Sequence, residues 1–383
     1  MKVSASHVRI PMRYQFGHAR SPRNVADNVI VEVELSDGSR GWGESVPREY
    51  VTGETVASVL SALSSGVVPE EQPDLAFAAR DLADRDLARE LGGERAPQLA
   101  AACALELAIL DAHARREQRP ILDAVAAVPE YAGLLREKPF EHVRQTLTIG
   151  DDLEGALSRA GELHDVLDLK VKVGFGAAND RARVAALRRV FPDANLRGDA
   201  NGVFDVESAR VLLRSLQLSS IEEPLAERDL AGCAQLRRDG TVVMLDESLC
   251  TLDDAERAIQ TGAVDLFNLR LSKCGGIFGT MRLVARARRA GLGWQLGCMV
   301  GESGVLSSLG RAFVARVEGA LFFESTVPTR SLEHDLTDAR LDHAPGTRMT
   351  PVPPGHGFGA HMLTDVLERY TVQRRDIANI SAT

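Results

Sequence analysis

The chain has 383 residues and carries 45 Lys and Arg against 54 Asp and Glu, a formal net charge of −9. That acidic balance excludes a general binder of nucleic acid or anionic membranes, which needs a basic face. The five cysteines, an odd number with no C-x-x-C pair, exclude a disulfide framework and a structural zinc site.

In chain order, Val29–Leu35, the turn Ser36-Asp37-Gly38 and Gly41-Trp42-Gly43-Glu44 read as a hairpin. From Val56 to about Arg116 the chain is Ala- and Leu-rich and reads helical. Ala100–Arg116 is the clearest helix, apolar on most faces and therefore well buried. After Pro120 short apolar runs alternate with amphipathic ones. The strands read as Gln145–Ile149, Asp168–Val173, Asn195–Arg197, Ser220–Ile221, Val242–Leu245, Leu266–Asn268, Gly293–Leu296 and Ala320–Phe323. Ala178–Val190, Val206–Leu216 and Gly279–Ala290 are among the helices between them. Such alternation predicts a parallel sheet of βαβ units. Pro351–Gly359 reads as a loop, with a short helix over Ala360–Tyr370. The glycines 355, 357 and 359 follow no βαβ strand, so a nucleotide loop is discounted. The expected division is an α+β domain over 1–125, a barrel over 126–325 and a tail over 326–383 that returns to the first domain. The absence of an apolar leader and of any long apolar run predicts a cytoplasmic protein that leaves membranes alone.

Polar residues punctuate the strand ends: Lys172, Asp199, Glu222, Asp246, Lys273 and Cys298, separated by 27, 23, 24, 27 and 25 residues. So regular a repeat is what a (β/α) barrel requires, and a barrel gathers strand ends at one mouth. Asp199, Glu222 and Asp246 there repel one another unless a hard cation holds them, and Mg²⁺ prefers such oxygen ligands. Lys170 and Lys172 share one side of their strand. A buried like-charged pair lowers the pKa of one amine, which suits a general base. Lys273 is expected across the mouth, with Glu247 placed to pair with it. The sum suits removal of a proton beside a carboxylate, with the enediolate charge stabilised by the metal. No G-x-S-x-G elbow is present, which disfavours a serine hydrolase.

Lys-x-Lys, Asp-x-Asn, Ile-Glu-Glu-Pro, Asp-Glu-Ser and Lys-x-Gly-Gly, in that order and spacing, resemble the enolase superfamily. The subgroup resembled is the mandelate racemase and muconate lactonizing enzymes, with dipeptide epimerases among them. The Gly41–Glu44 stretch and the Pro354–Gly359 tail are similar too. The resemblance implies an α/β fold: a modified (β/α)7β TIM-like barrel under an α+β capping domain formed by the N-terminal and C-terminal segments. It implies Asp199, Glu222 and Asp246 as ligands of Mg²⁺, with Mn²⁺ as a substitute. Lys172 and Lys273 match the bases on the two faces, Lys170 the auxiliary lysine, and Asn201 and Glu247 supporting positions. In the Glu-Glu pair the family uses the first.

The implied activity is racemisation or epimerisation of a small carboxylate, an N-acyl amino acid or dipeptide. Cycloisomerisation and β-elimination use the same residues, and a silent binding barrel is the reading of a different class. The family implies a homo-oligomer. Two stretches depart from the pattern. Gly297–Ser303 carries one extra residue before Glu302, and Phe322–Thr326 has Glu324 where dipeptide epimerases have Asp-x-Asp. The capping loops Tyr14–Asn24 and Pro47–Thr55 offer Arg20, Arg23, Arg48 and Tyr50 as substrate-binding candidates, with Cys298, Glu302 and Glu324 from the barrel.

Overall fold

The computed structural model describes residues 1–16, 23–150, 153, 154, 157, 163 and 165–377. Four antiparallel strands form one sheet: β1 (Lys2–Phe16), β2 (Arg23–Glu34), β3 (Arg40–Ser45) and the last strand, β14 (Thr371–Ile377), in the order β14-β1-β2-β3. The sequence reading caught the β2–β3 hairpin but not β1 or β14. Their pairing, Val3 opposite Ile377 for example, joins the two ends of the chain, and local pattern does not report it.

Helix Leu99–Arg116 lies across this sheet, every side chain from Leu99 to Ala114 buried. Its alanines let the backbones approach. A Cβ on Gly41 or Gly43 would sit 2.0 Å from Ala112 N or Ala104 O, so both positions demand glycine. The tail loop packs on the same helix: Asp111 accepts from the backbone N–H of Trp42 at 2.9 Å and of Phe358 at 2.9 Å. The glycine-rich tail is thus a packing device. Its helix is shorter than predicted, Thr364–Tyr370.

The barrel sheet has eight parallel strands: β5 (Leu147–Ile149), β6 (Asp168–Lys172), β7 (Asn195–Asp199), β8 (Ile221–Glu222), β9 (Val243–Leu245), β10 (Leu266–Leu269), β11 (Gly293–Leu296) and β12 (Ala320–Phe323). The Thr146 N–H donates to Phe323 O at 2.7 Å and brings the first and last strands together. Helices Ala177–Val190, Val206–Leu216, Leu230–Arg238, Leu252–Thr261, Gly276–Ala290 and Gly304–Arg316 fill the crossovers from β6 onward. A small pair, β4 (His142–Arg144) with β13 (Met349–Pro351), lies apart from both sheets. No helix among the described residues is long and apolar enough to cross a membrane. All five cysteines are free thiols.

Two buried carboxylates from the capping segments fasten barrel helices by their N-termini, where backbone N–H groups lack helical partners. Glu44 accepts from Ser303 N at 2.9 Å and Leu306 N at 3.1 Å. Glu106 accepts from Ile277 N at 2.5 Å and Phe278 N at 3.2 Å. Burial pushes both carboxyls up to about 7.

Candidate active site

β6 turns Lys170 and Lys172 to one side, as strand alternation requires. Lys170 Nζ lies 2.6 Å from Glu324 Oε2, 3.0 Å from Glu222 Oε2 and 3.4 Å from Asp199 Oδ2. Burial works against this ammonium, but Glu222, Glu324 and Asp199 outweigh it and hold its pKa above that of an ordinary lysine. Lys172 Nζ lies 3.2 Å from Asp199 Oδ2 and donates to Asn201 Oδ1. Burial would raise the Asp199 carboxyl, but Lys172 and Lys170 hold it well below the usual range.

Asp199 and Glu222 stand side by side in the β7–β8 register. Asn268 Nδ2 donates to Glu222 Oε1 at 2.8 Å and orients it. The chain turns sharply at Glu223, φ 38°, and that side chain leaves the mouth. It accepts from Asp246 N at 2.8 Å, Ser248 N at 3.3 Å and the Ser248 hydroxyl. Only the first glutamate of the pair therefore faces the other acids.

Asp246 follows β9. Its Oδ1 lies 2.8 Å from Lys273 Nζ, and its Oδ2 contacts Arg270 Nη2. Lys273 is not set out in the mouth. It is fully buried, and its ammonium also donates to the backbone oxygens of Asp246 and Asn268, each at 2.7 Å. Its carboxylate partner is Asp246 rather than the expected Glu247. Glu247 accepts from Asn201 Nδ2 at 3.3 Å, and burial, with Glu223 and Asp199 nearby, pushes its carboxyl up to about 7.

Sequence reasoning missed three members of this cluster. Asn268 on β10 and Arg270, one residue past its end, lie two residues apart, and that alternation is the signal that both face inward. Arg197 lies two residues before Asp199 on the same strand face. Buried completely, Arg197 donates to Asp168 at 3.0 and 2.8 Å and to Gln295 Oε1 at 2.8 Å, and lies 3.4 Å from Glu324. Its guanidinium stacks 4.0 Å from the Phe322 ring centre. Glu324 thus lies between Arg197 and Lys170.

The other candidates are spread more widely. Arg48 is buried, and donates to the backbone oxygens of Pro47 and Val300, each at 2.7 Å, linking a capping loop to the loop after β11. Tyr50 is exposed on the short helix Glu49–Thr52. Arg20 lies outside the described residues. Arg23 opens β2, and its side chain is likewise outside them. Glu302 is buried, accepts from Met299 N at 2.7 Å, and is pushed up to about 8 by burial. Cys298 is half-buried, and burial, with the charges of Glu302 and Glu324, raises its thiol.

The donor set fits a hard divalent ion: three buried carboxylates on three successive strands. Among the described residues no three acidic, His or Cys side chains converge on one point. The carboxylates are turned instead to cations of the chain. Arg270 Nη2 contacts Asp246 and lies 3.9 Å from Glu222 Oε1, a positive group standing between two of the three acids.

A parallel barrel under an α+β cap, with acids and amines gathered at its strand ends, defines a barrel enzyme whose chemistry sits at the mouth. Residues 153–366 match the family of enolase C-terminal domain-like sequences. Residues 1–125 match the N-terminal domain of mandelate racemase and muconate lactonizing enzymes. The chain belongs to the enolase superfamily, within the mandelate racemase and muconate lactonizing enzyme group, and is an isomerase of that superfamily. It is 31% identical over 363 residues to an aromatic dipeptide epimerase of Herpetosiphon aurantiacus, covering 93% of this chain and 97% of that one. Its fold is that of an N-succinyl Arg/Lys racemase from Bacillus cereus, with TM-score 0.85, 23% identity and 99% of each chain covered. It is also that of a dipeptide epimerase from Enterococcus faecalis complexed with Mg and the dipeptide L-Leu-L-Tyr. There the TM-score is 0.78 and the identity 24%, with 94% of this chain and 98% of that one covered.

Proposed function

We propose that this protein racemises or epimerises an amino-acid derivative by removing the proton beside its carboxylate. The observation that carries this is the position of Lys172, an amine at the end of β6 held against Asp199 and Asn201 beside three buried acids. Its neutral form takes the α-proton. The C–H electron pair passes into an enediolate, and an ammonium returns a proton to that carbon. Lys170, bound by three carboxylates, stays protonated and faces the developing negative charge. Asp199, Glu222 and Asp246 would hold Mg²⁺, or Mn²⁺ in its place, and that ion would supply positive charge toward the substrate carboxylate. Asn201 and Glu247 orient Lys172, and Lys273 and Asn268 orient Asp246 and Glu222.

Among amino-acid derivatives, Glu324 favours those acylated on nitrogen. Its two oxygens are engaged by Lys170, Arg197 and Gln295, at 2.6, 3.4 and 3.3 Å. A free dipeptide ammonium arriving there would compete with two cations already in place. The test is incubation with Mg²⁺ in deuterated water against N-succinyl amino acids, other N-acyl amino acids and dipeptides. Mass spectrometry then scores deuterium at the α-carbon. Deuterium uptake at the α-carbon of N-acyl amino acids, with the inverted isomer accumulating over time, is the expected result. Silence across that library, in protein that binds Mg²⁺, overturns the proposal.

A further inference from the structure

β6 and β10 lie four places apart among eight strands, on opposite sides of the barrel. The side chain at the end of β10 therefore meets the substrate face turned away from Lys172. Alternation identifies that side chain. Asn268 points inward, because its amide reaches Glu222, so Arg270, two residues on, points inward as well. The contacts agree. Arg270 touches Asp246, approaches Glu222 and lies 3.4 Å from Met299 Sδ. Its side chain is 14% exposed, equal to that of Lys172 at 14%, whereas that of Lys273 is 0% exposed.

Lys273 belongs to the turn after β10, where Cys274 N donates to Arg270 O at 2.9 Å. Its side chain runs behind the strand ends. An ammonium has three N–H groups, and here three acceptors take them: Asp246 O, Asp246 Oδ1 and Asn268 O. To accept a proton from substrate, Lys273 would first have to leave buried backbone oxygens without a donor.

We propose that the group facing substrate opposite Lys172 is the Arg270 guanidinium, and that Lys273 is a positioning residue that holds Asp246. A guanidinium is a fixed cation and offers no lone pair to a proton at neutral pH. Proton removal and return then share the Lys172 face. The amine takes the α-hydrogen as H⁺, exchanges it with solvent and gives back D⁺ to the same carbon, which is exchange with retention. Inversion needs a proton delivered from the Arg270 side, and that is the slow route.

The inference rests on the α-proton reading above, and its test separates the two. The probe is both stereoisomers of whichever library compound takes up deuterium, followed by proton NMR and chiral chromatography. Expected is one isomer that exchanges at least tenfold faster than it inverts, and a second that exchanges only as fast as it inverts. Arg270→Lys, which places an amine there, brings inversion to within about threefold of exchange. Equal exchange and inversion from both isomers of the wild type overturns the inference, as does an Arg270→Lys variant with an unchanged ratio.

Calorimetric titration with Mg²⁺ alone judges the two residues without turnover. Lys273→Met weakens Mg²⁺ at least tenfold by freeing Asp246, and Arg270→Lys leaves affinity within about threefold. Unchanged Mg²⁺ affinity in folded Lys273→Met overturns the positioning role. A silent library with these titrations as expected overturns the α-proton reading and leaves the placement of Lys273 standing.

Discussion

Glu324 Oε2 stands 2.6 Å from Lys170 Nζ, so the acid at the end of the last barrel strand is the counter-ion of a lysine on the second. The pair extends through Arg197 to Asp168 on one side and through Lys170 to Glu222 and Asp199 on the other. A charge chain runs from below the mouth up to the candidate metal site. Removing one member strands its buried partner, which costs more than the pair contributes intact.

Glu324→Gln should therefore lower kcat by roughly 10- to 100-fold, about 1.4–2.8 kcal/mol of barrier, with a smaller change in KM. Steady-state kinetics on the N-acyl substrate, with circular dichroism to confirm folding, checks this. A variant that keeps full kcat and gains free dipeptides would show that Glu324 meets substrate and does not serve Lys170.

Metal removal divides the roles of the two sides of the site. Chelation by EDTA should abolish deuterium exchange, and added Mg²⁺ should restore it. Lys172→Ala should lose exchange by roughly 10²–10⁴-fold, the range for a general base, while still binding Mg²⁺. Asp199→Asn should lose both exchange and calorimetric Mg²⁺ binding. Exchange that survives chelation, or survives Lys172→Ala, contradicts the assignment.

Much of this site was legible because a barrel converts sequence period into spatial convergence. Lys172, Asp199, Glu222 and Asp246 recur at nearly even intervals, and strand ends must meet. What escaped was of two kinds. Arg270 and Lys273 both follow β10 within four residues, and which one enters the mouth depends on where the strand stops. Alternation from Asn268 decides it, but only once Asn268 is seen to reach Glu222. The long-range partners were the second kind. Glu324 with Lys170, Glu106 with Ile277 and β1 with β14 join positions far apart in the chain, and no local pattern links them. The glycine-rich tail shows the converse, a motif in which Gly357 answers to packing on Asp111 and Gly355 and Gly359 to the tail's own close turns.

Gly276→Ala should destabilise the fold by roughly 2–4 kcal/mol, the range for strain and overpacking together. Gly276 has φ +97°, and a Cβ there would lie 2.4 Å from Glu106 Oε1. The carboxylate cannot yield without releasing Ile277 N. Chemical denaturation measures the loss, and a change under about 0.5 kcal/mol would mean that the Glu106 contact has room.

Glu106 also makes stability depend on pH in a direction that can be derived. Burial raises its carboxyl from 4.5 to about 7 in the folded chain. The native state then binds a proton, between about pH 4.5 and 7, that the unfolded chain has released. Stability falls with pH wherever the native state holds more protons. The contribution is present in full below the unfolded value, is lost as pH rises through about 7, and is flat above. At about 1.4 kcal/mol per pKa unit it amounts to roughly 3 kcal/mol. Glu44, Glu54, Glu302 and Asp335 are also raised by burial and slope the same way, so the informative quantity is a difference. Glu106→Gln keeps an oxygen to accept from Ile277 N and removes the titration. Urea denaturation from pH 5 to 8 should show the wild type losing roughly 3 kcal/mol more than the variant. Parallel curves would mean that Glu106 is ionised in the fold throughout, held so by the helix N-terminus it caps.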